Sequence, residues 1–203
     1  MANPTPRIYL EPLSADKHSR SIYEIWLDPA NLAGTGMDTA PSLETTRVMI
    51  RDRSHSVKPG IENFAIMAGP ESPLYRLVAT ATQPQQQGDL GRNKGEPAPK
   101  LIGWTGVVRV APEEIGWYVT GPCRGLGVAT EAVQAMLRRY WTAQPGTAEV
   151  IAYIREGNVA SERVATKAGL VRVLERTLVK GSTLPNGQVT GCDHGVWVAK
   201  KPT

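Results

Sequence analysis

Eleven consecutive residues concentrate the chemical potential of this chain: Gly121-Pro122-Cys123-Arg124-Gly125-Leu126-Gly127-Val128-Ala129-Thr130-Glu131. Glycines at 125 and 127 let a ligand approach the main chain with no side chain in the way. Beyond them, Val133, Met136, Leu137, Tyr140 and Trp141 fall on one stripe at helical spacing, so the loop feeds directly into a helix. The first amides of a helix have no partner inside it, and together with the helix dipole they favour an anion. Arg124, at the loop entrance, can add a charge-assisted bond to the same anion. The stretch therefore reads as a pyrophosphate cradle. A glycine-rich turn that merely precedes a core helix would carry the same residues.

Two other phosphate devices are excluded by individual positions. A Walker loop needs Gly-Lys followed by Ser or Thr, whereas Val128 and Ala129 follow Gly127. A dinucleotide fingerprint needs a third glycine where Thr130 stands, and its preceding strand needs a parallel partner. Metal chemistry has no foothold either. The histidines, His18, His55 and His194, show no ligand spacing and read as surface or turn residues, and the two cysteines, Cys123 and Cys192, are too few for a site or a disulfide framework.

The elements that must hold the loop can be read from periodicity. Residues 7–13 alternate as a short strand, and Ser14 caps a helix with His18, Ile22, Ile25 and Trp26 on one stripe. A second helix starts at Pro41-Ser42 and ends near Arg53. The period then changes to two: NFAIMAG is a strand, and LYRLVATATQ reads as its continuation after a turn at 69–73. LIGWTGVVRV, residues 101–110, alternates with Ile102, Trp104, Val108 and Val110 on one face. In EIGWYV, Ile115, Trp117 and Val119 share one face, with Glu114 and Tyr118 on the other. After the helix come the strand EVIAYI, the helix NVASERVATKAG ending at Gly169, and the strands LVRVLERTLVK and HGVWVAK. The order β-α-α-β-β-β-α-β-α-β-β, with several hairpin-length links, predicts an α/β (α+β) fold with a mostly antiparallel sheet.

Chain-wide properties set the outer bounds. With 203 residues, the chain suits one domain, 1–203. Residues 83–100, rich in Gln, Gly and Pro, have almost nothing to bury and read as an exposed loop. At 41% hydrophobic and 21% charged residues the composition is that of a soluble globular protein, and no apolar run approaches the ~20 residues of a membrane span. The N-terminus carries no apolar signal core, which makes the cytoplasm the expected location, with the nucleus second. A net charge of +4 suits an anionic small ligand as well as it suits nucleic acid. No basic helix or aromatic-basic motif supports nucleic-acid binding.

At the level of motifs, Arg124 to Ala129 (RGLGVA) resembles the Arg/Gln-x-x-Gly-x-Gly/Ala signature of the GNAT superfamily of N-acetyltransferases. The surrounding EIGWYV-x-GPC-RGLGVATEAV, and NVASERVATKAGL at 158–170, are similar to the branch that includes the ribosomal-protein alanine acetyltransferases. The likeness is close over about 101–170 and looser elsewhere. It implies a mixed, mostly antiparallel, splayed central sheet flanked by helices, with acetyl-coenzyme A (acetyl-CoA) as co-substrate and no metal. It implies that Arg124, Gly125, Leu126, Gly127, Val128 and Ala129 hold the pyrophosphate. Tyr118 and Val119 would offer main-chain groups to the pantetheine arm, and Asn158 and Ser161 would contact the same ligand. Asn158 is also an ordinary N-cap residue, and Cys123 would be a spectator near the cofactor.

Acetyl transfer to a primary amine, by direct attack in a ternary complex, needs a neutral amine, a stabilised oxyanion and a leaving thiolate. The resemblance makes Glu114 the candidate base, with Glu113 in reserve, and a backbone amide near Val119 the oxyanion donor. The tyrosine that many relatives use as acid corresponds to Ala165, so Ser161, Tyr153 or water would serve instead. The acceptor, a protein N-terminus or a small amine, has no readable motif. No membrane partner is expected, and a homodimer is allowed. The competing reading is a non-catalytic acyl-CoA-binding or sensor domain on the same fold.

Overall fold

The computed structural model describes residues 7–29, 37, 39–53, 62–81, 98–110, 112–183 and 189–202. Among them, seven strands form one sheet: β1 (Tyr9–Pro12), β2 (Asn63–Ala68), β3 (Lys100–Val110), β4 (Glu113–Val119), β5 (Glu149–Arg155), β6 (Val171–Thr183) and β7 (Val189–Lys200). The five α-helices among the described residues are α1 (Ala15–Trp26), α2 (Leu43–Asp52), α3 (Pro73–Ala81), α4 (Val128–Ala143) and α5 (Val159–Ala168). The strand order is β1-β2-β3-β4-β5-β7-β6, and β4–β5 is the one parallel pair. The expected mixed, mostly antiparallel sheet is what the chain forms. The Gln/Gly/Pro-rich segment expected at 83–100 lies outside the described residues except for its last three, and so does His55.

Both sheet faces are covered, which is why β2 (NFAIMA) is buried throughout and apolar at every position but its first. Phe64, Ile66 and Ala68 join the larger core with α3, α4 and α5, while Ala65 and Met67 face Ile22, Trp26 and Ile50 of α1 and α2. Helix starts follow local chemistry: Ser14 accepts from the Lys17 amide, and Ser42 from the Thr45 amide at 3.1 Å. His18 is a correction to the sequence reading. It is buried in α1, and its Nδ1 accepts from the Ser14 amide at 2.9 Å.

Two further expectations are corrected. The segment read as a continuing strand, LYRLVATATQ, is helix α3 over Pro73–Ala81. Leu74 and Val78, four apart, enter the core; Ser72 Oγ accepts from the Leu74 amide, and Pro73 occupies the first helical position. Ile102 does not share a face with Trp104. Register slips there, with Ile66 opposite Gly103 but Met67 opposite Leu101, so Ile102 is the bulged residue and turns into the larger core.

Candidate active site

Strands β4 and β5 run parallel but register at a single pair, Glu114 with Ile151. Beyond it they diverge, and the sheet opens into a cleft of about 420 Å³. The opening is built into the pairing of β4. The Thr120 amide bonds to Ile102 O, so by the period of two the main-chain groups of Tyr118 and Gly116 are used by β3. Those of Trp117 and Val119 point toward the splay. Tyr118 reaches the cleft through its ring, whereas sequence reasoning gave it a main-chain role.

Side-chain alternation sets Glu114 and Tyr118 on one face of β4 and Ile115, Trp117 and Val119 on the other, in or against the larger core, as the sequence pattern predicts; where the strands part, Ile115 and Trp117 line the cleft as well. Gly116 lies between Glu114 and Tyr118; a Cβ there would press the Trp104 ring at 3.2 Å. Glu114 is only 7% exposed, with Oε2 3.6 Å from Arg109 Nη1. That pair depends on a second bulge. Val107 opposes Ile115 and Arg109 opposes Glu114, so Val108 is the extra residue; a regular ladder would set Val108 opposite the carboxylate. Glu113, the reserve base, pairs with Val110 and does not line the cleft.

Desolvation pushes the Tyr118 phenol well above its ordinary pKa, against the opposing Arg124 charge, so it is a neutral hydroxyl at physiological pH. Asn158 and Ser161 line the opposite wall of the same cleft. Asn158 Oδ1 caps α5 by accepting from the Ser161 amide at 3.1 Å, which orients both residues at one helix end. Ala165, by contrast, is fully buried in the core, and Tyr153 lines the cleft from β5. Sequence reasoning missed Arg53, Arg155 and His194, which also line it. Arg53 follows α2, and Arg155 and His194 sit opposite one another on β5 and β7. Only the folded register brings these three to one place.

The glycine loop adjoins the end of β4. Gly125 and Gly127 have φ of 76° and 79°, in the left-handed region that a side chain disfavours. Gly127 caps α4 without a side-chain bond, and the first intrahelical bond runs from the Glu131 amide to Gly127 O. The amides of Val128, Ala129 and Thr130 precede that bond, which is the donor arrangement an anion requires. Arg124 turns back on the sheet, its Nε donating to Val119 O at 3.2 Å. Arg7, unremarked in the sequence, straps the loop: Nη1 donates to Leu126 O at 3.2 Å and Nη2 pairs with Glu131 at 2.7 Å. Cys123 is a core thiol, 1% exposed, whose pKa burial raises. The residues thus fit a phosphate-bearing thioester: donors at the loop, then a strand edge whose Trp117 main-chain groups and Val119 amide face away from β3, then a cleft with a buried carboxylate.

Among the described residues there is no group of three or more His, Cys, Asp or Glu side chains able to hold a metal, and no helix long and apolar enough to cross a membrane.

The comparisons with known proteins agree with this geometry. The structure of MccE, the microcin self-immunity acetyltransferase in complex with acetyl-CoA and AMP, is similar with a TM-score of 0.66 at 13% identity, over 97% of this chain and 94% of that one. RimL, a ribosomal alpha-N-protein acetyltransferase in complex with coenzyme A, gives 0.65 at 13% identity, over 98% and 96%. An acetyltransferase of the GNAT family from Bacillus anthracis gives 0.64 at 18% identity, over 98% of both chains. Among curated proteins none matches this sequence. The acetyltransferase (GNAT) domain model matches residues 7–171, and the chain belongs to the GNAT acetyltransferase family.

Proposed function

We propose that the chain is an acetyl-CoA-dependent N-acetyltransferase acting on a primary amine, with Glu114 as general base. The observation that carries this is the placement of a buried carboxylate at the root of the β4–β5 splay, in one cleft with Tyr118, Asn158 and Ser161. Bound acetyl-CoA would supply an activated acetyl carbonyl. Its pyrophosphate would be held by the amides that open α4 and by the loop Arg124–Ala129, and its arm by the edge of β4 at the Trp117 main chain and the Val119 amide. The resemblance of 158–170 to the ribosomal-protein acetyltransferase branch supports a protein N-terminus as one acceptor class and leaves small amines as the other.

Within that arrangement Glu114 takes a proton from the incoming ammonium, directly or through a water, so that the nitrogen attacks as a free amine. The carbon–nitrogen bond forms and the carbon–sulfur bond breaks. A main-chain amide of β4 that points into the splay stabilises the oxygen as it gains charge. With Ala165 buried, the proton for the departing thiolate comes from Ser161, Tyr153 or solvent, and the second proton that the nitrogen sheds after attack replaces it. Mass-spectrometric detection of an acetylated amine, dependent on acetyl-CoA and lost in Glu114→Gln, tests the reading. Tight acetyl-CoA binding with no acetylated product from any amine would favour the sensor alternative.

A further inference from the structure

The wall of the cleft beyond Glu114 carries a chemistry that acetyl transfer alone does not require. Glu114 is the only carboxylate among the described lining residues, against three guanidiniums: Arg53, Arg109 and Arg155. Arg109 is partnered by Glu114 at 3.6 Å. Arg155 precedes α5, on the Asn158 and Ser161 side of the cleft. Arg53, at the end of α2, shares its wall with Trp26, Met49 and Trp104.

Arg53 is exposed to solvent, yet surrounded closely enough by protein that desolvation lowers its pKa, with the Glu114 charge opposing. Its guanidinium makes no hydrogen bond or ion pair among the described residues. Beside it, Trp26 is 5% exposed, and its indole N–H has no acceptor among them. One further carboxylate acts on this region: Asp28 raises the Tyr118 pKa from outside the lining. A partly desolvated guanidinium and an indole donor, side by side, complement an anion, and they repel a second positive charge.

The geometry points to an acceptor that carries its own anionic group, a carboxylate or a phosphate, close to the amine. The amine lies at Glu114, the anion at Arg53 and the Trp26 indole N–H, and an apolar body rests against the rings of Trp26 and Trp104. Because the cleft must also admit the acetyl end of the co-substrate, the acceptor is compact and amino-acid-like, and a polyamine is excluded. This inference rests on the acetyl-transfer reading of the same cleft.

The test measures coenzyme A release with phenylalanine, its aminophosphonate analogue, phenylalanine amide, phenethylamine and spermidine. Removing the anionic group is expected to lower kcat/KM at least about tenfold, the span of a lost charged contact. In Arg53→Gln the ratio of phenylalanine to phenethylamine should collapse toward one, and Arg53→Lys should restore part of it. The two acidic substrates rank carboxylate against phosphate. Equal or faster turnover of phenethylamine or spermidine by the parent protein would overturn the proposal. If no amine in the panel turns over, calorimetric titration of N-acetylphenylalanine into the coenzyme A complex decides. Binding that weakens at least about tenfold in Arg53→Gln supports an anion site, and absence of binding to the parent complex overturns it. Failure of coenzyme A itself to bind would instead remove the acetyl-transfer reading, and this inference with it.

Discussion

Replacing Gly127 by valine separates the fold from the cradle. The residue sits at φ 79°, and a Cβ built there meets nothing within 4 Å except an Arg7 guanidinium nitrogen at 3.9 Å. The cost to the fold is therefore backbone strain without a packing clash, about 1–2 kcal/mol for a left-handed non-glycine residue. For a chain of this size that lowers Tm by roughly 2–8 °C. Ligand binding contributes on the opposite side. A ligand that binds only the native state adds about 2.7 kcal/mol at a hundredfold excess over its Kd. At the same conversion, acetyl-CoA should raise the Tm of the parent by roughly 5–11 °C. The branched side chain at the mouth of the amide cluster should abolish that shift while the variant keeps a cooperative transition. The assay is thermal unfolding with and without acetyl-CoA, for parent and variant together. A variant that unfolds a few degrees lower yet retains the full ligand shift would refute the assignment of Gly125, Gly127 and the α4 amides to the anion.

Three further outcomes follow from the site and its surroundings. Glu114→Gln should lower the acetylation rate by roughly 10²–10⁴-fold with acetyl-CoA affinity unchanged, and the deficit should shrink at high pH, where the amine is already neutral; a parental rate at pH 7 would remove Glu114 as base. Because burial holds the Tyr118 phenol protonated, Tyr118→Phe should leave the shape of the pH–rate profile unmoved up to about pH 10, and loss of a basic limb would show that this hydroxyl titrates during turnover. His18 is held below its ordinary pKa chiefly by burial, with Glu11 opposing and Lys17 reinforcing. The unfolded chain then binds the extra proton first, so stability is intact above about pH 6.5 and falls as the pH drops toward the folded value. Thermal unfolding between pH 7 and 5 should show a shallower acid decline in His18→Gln than in the parent; identical slopes would refute the argument.

What was legible in the sequence depended on how local its cause was. The glycine loop, the stripe of α4 and the two faces of β4 each arise from spacing within one element, and each has its expected place in the fold. Helix α3 was misread because Leu74, Leu77 and Val78 fit a short apolar run of either kind. The decisive marks were Ser72 and Pro73, a capping residue followed by a helix-starting proline. The bulges at Ile102 and Val108 belong to pairs of strands, so no single-strand period could show them, and with them the Arg109–Glu114 contact stayed hidden. Arg53, Arg155 and His194 become neighbours of the site only through sheet order and helix placement. Arg7 reaches Leu126 and Glu131 across 119 and 124 positions of chain, beyond any local pattern.

The lone rung between Glu114 and Ile151 divides the sheet into two cohesive slabs, β1 to β4 and β5 to β6, each sewn by long antiparallel ladders. Opening along that seam would break few main-chain hydrogen bonds, but it would also divide the larger core, which draws on β1 to β4 and on β5 and β7 alike, so side-chain packing and not the ladder holds the slabs together. The carboxylate at the root of the cleft thus rides on the strand pair with the fewest rungs among the described residues. A ligand lying along the free edge of β4 stands in for the missing rungs. Deuterium uptake around Ile115–Val119 and Ile151–Arg155 then becomes a direct gauge of how far the two slabs are mortared together during a catalytic cycle.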